Sequence, residues 1–304
     1  MSLRSDAATQ LVLSEWEVAD PTTHPVLRDA FTDTTPERLS RVESVARAGR
    51  FKIGDTRRGM RIETSSWVGR VDLGGVELHV QPKLGRPYLP RLLRYAYGLG
   101  DVEVFRSTRT PVGMLGIHDL LIAQLVGEVE VLAWRGLAAH YTERQDDLAS
   151  PRGRIRWAAL VQDGGVRRPV LPCQHHARVP DWRLNQIVRA GLEFAAGVTN
   201  DRELALSLRR LAGRLAERIG VARLHADAVD EAERSLTRLT SHYRPALTLM
   251  RLLQQSRGAA AGETTAQVPG FLFDMNRFWQ ACIGRFLGLN LPAVSGRVVS
   301  RVVV

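Results

Sequence analysis

The stretch WVGRVDLGGVELHVQPKL (67–84) alternates apolar and polar residues on both sides of the pair Gly74-Gly75. Alternation with a period of two is typical of a strand with one buried face, and Gly-Gly supplies the positive φ angles of a tight turn. The stretch therefore predicts a β-hairpin. Similar alternation begins at Phe51, so we predict a small β-rich unit that ends near Leu84.

Strand and helix patterns extend in both directions from this hairpin. LVLSEWEV (11–18) predicts another strand, and Thr35 before Pro36 favours the start of a helix over about 37–48. From Pro90 onward the apolar period changes to about 3.6, which predicts helices. These contain Leu92–Tyr97 and cover about 118–140, 182–196, 201–219, 235–255 and 275–287.

Residues 141–180 interrupt the helical pattern. They are irregular and rich in arginine, with strand-like pieces at 155–160 and 170–174 and a turn predicted at Gly164-Gly165. Separate β-rich and helical regions are typical of the α+β class, which is the fold class we expect.

The charge of the chain is strongly positive. Lys and Arg number 42 against 32 Asp and Glu, which gives a formal net charge of +10 and a pI near 10.6. A basic protein attracts polyanions, of which nucleic acid is the commonest. Lys52 and Lys83 are the only lysines, so a genome rich in G and C, which favours arginine codons, explains the charge equally well. Both interpretations stay open.

Cysteine and histidine positions give no sign of a metal or redox site. Cys173 and Cys282 are far apart without a CxxC motif, which fits a reducing cytoplasm. His175 and His176 are adjacent, so a strand directs them to opposite faces as a poor ligand pair. The N-terminus has no signal-peptide pattern, and no run approaches the roughly 18 apolar residues of a membrane span. We expect a cytoplasmic protein that contacts no membrane.

Two catalytic motifs are absent from the sequence. Neither lysine lies in a Gly-Lys-Ser/Thr context, so the chain contains no P-loop for a nucleoside triphosphate. A Mg²⁺-dependent PD-(D/E)xK nuclease has an acid two residues before a lysine. Arg50 and Gln81 occupy those positions before Lys52 and Lys83.

Four segments, in this order, resemble the McrC family of restriction-system subunits. They are WVGRVDLGGVELHVQPKL (67–84) followed by PRLLRYAYGL (90–99), WRGLAAHYTERQDDLASPRGRI (134–155), DWRLNQIV (181–188) and FLFDMNRFWQACIGRFL (271–287).

The resemblance implies a partner and a role. McrC-like proteins bind a hexameric AAA+ GTPase, McrB, which recognises the DNA and binds the GTP. A projecting finger of McrC enters the central pore of the ring and stimulates GTP hydrolysis, and a C-terminal PD-(D/E)xK domain that uses Mg²⁺ cuts the DNA. The resemblance therefore implies an McrB-like GTPase hexamer as partner and contact with DNA through the complex. No cofactor is expected in this chain itself, and Mg²⁺ is expected only with a complete nuclease domain.

The sequence departs from the family pattern near its end. Family members usually continue the last segment with Phe-Glu, where this chain has Trp279-Gln280 and lacks the acid. Residues 275–304 contain no Asp, Glu or Lys, and the tail RVVSRVVV (297–304) predicts a single apolar strand. A truncated gene product, a cropped piece of a longer chain and a variant that provides only the activator half all explain this pattern.

Patterns and resemblance together predict three parts. Residues 1–85 form the β-rich unit, and residues 86–262 form a mainly helical domain with a β-hairpin finger inserted at about 140–180. Residues 263–304 contribute a linker and the first helix and strand of an incomplete nuclease-like domain. The linker-like sequence GAAAGETTAQ spans 258–267 and so starts a few residues before this part.

The function we expect is that of an McrC-like subunit that binds and stimulates a GTPase ring and lacks its own nuclease centre. Two alternatives stay open: an endonuclease subunit whose catalytic part lies beyond residue 304, and a stand-alone basic DNA-binding protein. The DNA sequence past codon 304 tests the first alternative, and gel shifts at several salt concentrations test the second. The gene neighbourhood tests for the partner GTPase.

Four arginines are the candidate contacts with the partner or with nucleic acid: Arg57, Arg58, Arg152 and Arg154. No catalytic, cofactor-binding or metal-binding residue is predicted. For Arg152 and Arg154 the alternative is a turn at Gly153 with ion pairs to nearby acids, and for Arg57 and Arg58 it is a solvated face.

Several other residues have structural interpretations. We expect Asp181 with Asn185, and separately Asp274, to cap helix starts. We expect the tryptophans at 134, 157, 182 and 279 to pack in a core or between domains.

Overall fold

The protein is described by a computed structural model over residues 9–29, 36–56, 58–73, 75–85, 87–101, 116–225, 227–261 and 270–291. Thr35, Arg57 and the tail 297–304 lie outside these residues. The predicted α+β class is confirmed, because three small sheets accompany a largely helical body.

A four-stranded sheet forms the centre of the N-terminal part. Its strands are β1 (Thr9–Ser14), β5 (Trp67–Asp72), β6 (Val76–Gln81) and β10 (Gly270–Asp274), in the order β1-β6-β5-β10. The predicted hairpin is confirmed as the antiparallel pair β5 and β6, and alternate residues of β6 are buried. β1 runs parallel to β6, and β10 runs antiparallel to β5.

A second, three-stranded sheet lies beside the first. It consists of β2 (Val18–Ala19), β3 (Lys52–Thr56) and β4 (Gly59–Glu63), in the order β2-β4-β3. The prediction of one strand over 11–18 is wrong. Trp16 has a φ of 56°, outside the extended region, so the backbone turns there and continues into a different sheet.

Four helices surround these sheets: α1 (Val26–Asp29), α2 (Pro36–Arg47), α3 (Leu89–Tyr97) and α10 (Met275–Asn290). α10 follows β10 directly and packs against α3. The predicted cap is confirmed, because Asp274 Oδ1 accepts hydrogen bonds from the backbone N–H groups of Asn276 and Arg277 at 2.9 and 3.3 Å.

The helical body is built around one buried helix. Its members are α4 (Ile117–Arg135), α6 (Arg183–Val198), α7 (Arg202–Ala216), α8 (Ala228–Arg234) and α9 (Arg244–Ala261), with a 3₁₀ turn at Ser241–Tyr243. Every residue of α4 from Ile117 to Val129 is buried, as is typical of a helix enclosed by its neighbours. α7 and α9 pack against it.

Two predicted helix boundaries are wrong. α4 ends at Arg135, because Gly136 follows and helix propensity is low there. The helix predicted from 235 begins at Arg244 instead, since Pro245 fits the first turn of a helix but not its interior. That helix continues to Ala261 and so takes in the start of the predicted linker.

A third sheet forms the inserted finger, whose presence is confirmed. Its strands are β7 (His140–Leu148), β8 (Arg154–Ile155) and β9 (Leu171–Val179), in the order β7-β9-β8, with the short helix α5 (Trp157–Gln162) between β8 and β9. The region is therefore not irregular, and 155–160 is mainly helix. Gly164 and Gly165 both have positive φ angles and form the predicted turn.

The division into three parts stays a prediction. β10 belongs to the third predicted part, yet it completes the central sheet of the first. None of the described helices is both long enough and apolar enough to cross a membrane.

Candidate functional site

The finger projects because its two long strands contact little except each other. β7 and β9 pair in antiparallel register over nine residue pairs, from His140 and Val179 at the base to Leu148 and Leu171 at the far end. The main neighbours of β9 are β7, β8 and α5, and seven of the nine residues of β7 are exposed. At about 3.4 Å per residue, the paired strands reach roughly 30 Å from the body.

The far half of the finger is thickened by β8 and α5. β8 pairs with β9 on the side opposite β7, with Arg154 opposite Gln174. Gly153 permits this approach: its φ is +69°, and a Cβ there would overlap the carbonyl oxygen of Gln174. Cys173, in β9 opposite Ile155, is fully buried at this point.

Apolar side chains are exposed at the tip. Trp157 is 64% exposed, Val161 77% and Val166 61%, and no residue of α5 is buried. Large apolar side chains exposed among polar groups are typical of a surface that another protein covers. The expectation that Trp157 packs in a core is therefore wrong, and Trp134 is also open to solvent, at 87% exposed.

Five arginines belong to the same part of the finger. Arg154 begins β8 and Arg152 lies two residues before it, and the other arginines of the tip are Arg156, Arg167 and Arg168. Within the described part of the chain, none of these five forms an ion pair.

The acids of the finger have different neighbours. Glu143 accepts a hydrogen bond from Gln174, and Asp146 lies 3.7 Å from Nε2 of His175. Among the described residues, Arg152 and Arg154 form no ion pair with Glu143, Asp146 or Asp147, so that alternative is wrong. The tip has five arginines against Asp147 and Asp163, which leaves an excess of positive charge beside exposed apolar residues.

The candidates in the N-terminal unit lie elsewhere. Arg58 is exposed in the turn between β3 and β4, in a different sheet from the finger, and Arg57 lies outside the described residues. Lys52 has its ammonium 3.7 Å from Glu63 and is 88% exposed. The structure thus does not place Arg58 beside Arg152 and Arg154 on one surface, and the role of each as a contact stays a prediction.

The base of the finger is held by a buried polar cluster. Asn185, in α6, donates from Nδ2 to the carbonyl oxygens of Ala138 and Pro180 at 2.8 and 2.7 Å. Its Oδ1 accepts from the hydroxyl of Tyr243 at 2.8 Å, and that hydroxyl accepts from the N–H of Ala138, also at 2.8 Å. Asn185 and Tyr243 are both fully buried. We call Asn185, Tyr243 and these backbone groups the base clamp.

The base clamp fixes both ends of the finger at once. Ala138 lies just before β7 and Pro180 just after β9, so one amide side chain joins the entering and the leaving strand. A buried network in which every group has a partner selects a single geometry, because breaking any one hydrogen bond leaves a buried donor and a buried acceptor without partners. The clamp therefore fixes the direction in which the finger leaves the body.

Asn185 was expected to help cap a helix, and that expectation is wrong. The cap position of α6 is Trp182, with no side-chain hydrogen bond. Asp181 accepts instead from the Nε2 of Gln186 and from the N–H of Gly220, and these two hydrogen bonds lower its pKa. A sequence signal for the clamp existed, since Asn185 occupies an apolar face of α6, but nothing in the sequence indicated Tyr243 as its partner.

The described residues offer no metal centre. Among them, no group of three or more His, Cys, Asp or Glu side chains is placed to hold a metal ion. His175 and His176 do lie in a strand, as the prediction of opposite faces requires.

Comparisons with known proteins agree with this geometry. The sequence model of the family described as "McrBC 5-methylcytosine restriction system component" matches residues 62–296. The chain matches no curated protein sequence at a significant level.

Two solved structures share the fold. A chain of the cryo-EM structure of the Thermococcus gammatolerans McrBC complex aligns with a TM-score of 0.60 and 19% identity, over 93% of this chain and 88% of that one. A chain of the half-complex from a tetradecameric assembly of Thermococcus gammatolerans McrB AAA+ hexamers with bound McrC aligns with a TM-score of 0.59 and 19% identity, over 93% and 71%.

Proposed function

Because the chain belongs to the family of McrBC 5-methylcytosine restriction system components, we propose that it is the McrC-like subunit of a modification-dependent restriction system. In this proposal the finger binds a hexameric McrB-like AAA+ GTPase and stimulates its GTP hydrolysis. The partner binds the GTP, and the chain reaches DNA through the complex. Support for the partner comes from a similar fold found in an assembly of McrB AAA+ hexamers with bound McrC.

One observation carries the proposal: a long finger ends in exposed apolar residues and in arginines that form no ion pair with any residue the structure describes. Trp157 and Val161 offer the apolar area that a partner surface covers on binding. Arg152 and Arg154 offer charge that can order the nucleotide-binding loops of a GTPase in trans, as arginine fingers do. The base clamp supports this role, because a finger that enters a pore must keep its direction.

We further propose that this chain carries no nuclease centre of its own. The support is the sequence, in which no (D/E)xK tripeptide occurs. Magnesium is accordingly assigned to a complete nuclease domain and not to these residues.

The proposal is tested by measuring GTP turnover of the cognate ring with and without the protein. We expect stimulation by the unchanged chain and a loss of most of it in Trp157→Ala and in the double variant Arg152→Ala/Arg154→Ala. Trp134→Ala is the matched control, since Trp134 is more exposed than Trp157 and lies outside the finger.

Two results contradict the proposed action on the GTPase, and a third contradicts the inference about the nuclease centre. The first is no co-elution with the ring and no stimulation by the unchanged chain. The second is equal loss of stimulation in Trp157→Ala and Trp134→Ala. Cleavage of methylated DNA by the ring and this chain, in GTP and Mg²⁺, would contradict only the inference about the nuclease centre.

A further inference from the structure

A cleft lies where the central sheet meets the last helices. It has a volume of about 790 Å³ and lies between the end of α2, β5, the end of α9 and the junction of β10 with α10. Three arginines line it: Arg47, Arg50 and Arg277. We call this the arginine cleft.

Arg50 has the least charge compensation of the three. Its guanidinium lies 4.2 Å from the ring centroid of Trp67, and within the described residues it forms no ion pair. Stacking on an indole orients a guanidinium but does not neutralise it. A half-buried arginine on the wall of a cleft, without a carboxylate partner, favours an anion from outside the chain.

The other two arginines are only weakly neutralised. Arg47 contacts Glu43 at 2.6 Å, but both side chains are more than half exposed, and exposed pairs of this kind are worth little. Arg277 lies 3.7 Å from Asp274 and is 71% exposed. Both arginines can therefore exchange their present partner for a ligand.

Asp274 is the one carboxylate among the described lining residues. Its Oδ1 accepts the two backbone hydrogen bonds that begin α10, where the helix dipole favours negative charge. The carboxylate is therefore largely offset by the helix end, and the cleft keeps its positive character.

The volume of the cleft and its other lining groups restrict the class of ligand further. The volume falls within the range of small-molecule sites and greatly exceeds that of a single phosphate. Trp67 and Tyr97 add aromatic surface, on which bases stack. Burial raises the pKa of Tyr97, and the nearby Asp274 raises it further, so the hydroxyl remains a hydrogen-bond donor at neutral pH.

We propose that the arginine cleft binds one nucleotide unit, with the phosphate at Arg50 and Arg277 and the nucleoside along the aromatic wall. Arginine suits this role because its planar fork matches two phosphate oxygens. The unit belongs either to a single strand of nucleic acid or to a free mononucleotide, which share this chemistry. This site lies outside the finger, and its binding of a nucleotide does not require the GTPase ring.

The experiment uses the full chain alone and needs no partner. Anisotropy of a fluorescein-labelled single-stranded dT₁₂ is followed during titration with the protein, and unlabelled dT₁₂, dTMP and inorganic phosphate serve as competitors. Arg277→Gln is the main variant, because Arg277 is 71% exposed and its replacement should leave the fold intact. Arg50→Gln is the second, with its thermal unfolding checked. Arg209→Gln is the matched control: it removes the same charge from an exposed position on α7, which packs against α4 and α6.

We expect Arg277→Gln and Arg50→Gln to weaken binding about tenfold and to reduce the salt dependence by about one counterion, while Arg209→Gln changes affinity less than about twofold. If dTMP competes as well as unlabelled dT₁₂ at the same concentration of nucleotide, the site binds a mononucleotide. Competition by dT₁₂ alone assigns a strand. If dTMP competes and inorganic phosphate competes as strongly, the nucleotide assignment is overturned. Equal losses in all three variants, or no binding of labelled dT₁₂ at low salt, overturn the site.

Discussion

Gly69 and Phe271 lie in direct backbone contact across the central sheet, although almost the whole helical body separates them in sequence. Gly69 is the register partner of Leu272, and a Cβ on Gly69 would overlap the carbonyl oxygen of Phe271. The φ of Gly69 is +134°, a conformation that L side chains rarely adopt. The absence of a side chain at Gly69 therefore allows the backbone of β10 to lie against β5.

Replacing Gly69 with alanine should destabilise the protein by about 2 kcal/mol or more, since the variant combines backbone strain with a clash. Urea unfolding followed by circular dichroism measures the change. Gly213→Ala is the control, because Gly213 lies within a helix and open space surrounds the position of its Cβ. That variant should be neutral or slightly stabilising. Equal stability of both variants would contradict the role of Gly69.

The base clamp predicts a specific effect of removing one hydroxyl. Tyr243→Phe leaves the N–H of Ala138 and Oδ1 of Asn185 without their partner, at a cost of about 1–3 kcal/mol. Hydrogen exchange should accelerate in β7 and β9 more than in α7. Tyr141→Phe serves as control, because Tyr141 is 70% exposed. Uniform acceleration across the protein would show that the clamp stabilises the fold generally without fixing the finger.

The shape of the finger tip depends on Gly153. In Gly153→Ala the new Cβ meets the backbone of Gln174, so we expect β8 to separate from β9 and the burial of Cys173 to be lost. Reaction of that thiol with a maleimide should become faster by at least about tenfold, since a fully buried thiol reacts slowly. Gly165→Ala has open space around its Cβ but also a positive φ, and it should strain the turn without exposing Cys173. Unchanged labelling of Gly153→Ala would refute the close approach.

A buried histidine predicts how stability depends on pH. Burial lowers the pKa of His118, with Arg70 and His79 acting in the same direction and Asp119 opposing them. The unfolded chain therefore takes up the proton first, and stability present above about pH 6.5 is lost as the pH falls below that value.

The urea concentration at the unfolding midpoint should decrease when the pH is lowered from about 7.5 to about 5.5, and the decrease should be smaller in His118→Gln. The exposed His225 provides the control: in His225→Gln the slope should match that of the unchanged protein. Identical slopes for all three proteins would mean that His118 is not the group responsible.

Local patterns were enough to predict much of the fold. The hairpin of β5 and β6 follows from alternation and one glycine pair, and α6, α7 and α10 follow from apolar periodicity. Asp201 and Asp274 cap the starts of α7 and α10. These features depend on neighbours within a few residues, which the sequence displays directly.

Features that depend on distant residues were not predictable in this way. The pairing of β5 with β10 and the hydrogen bond of Asn185 to Tyr243 join residues that are far apart in the chain. A strand over 155–160 was predicted where α5 forms, because a short apolar run is compatible with either structure. Of the candidate contacts, Arg152 and Arg154 lie at the finger tip. The exposure of Trp157 could not be predicted, because it depends on how the finger extends from the body, which no local pattern indicates.

The place of β10 in the central sheet has a consequence for biosynthesis. Until the ribosome has released residue 274, β5 has an unpaired edge, and exposed edges of this kind recruit other strands. Nascent chains fold slowly when a sheet needs contacts of such long sequence separation. The sheet therefore closes late, after the helical body has been synthesised, and chains released before β10 should aggregate through the β5 edge.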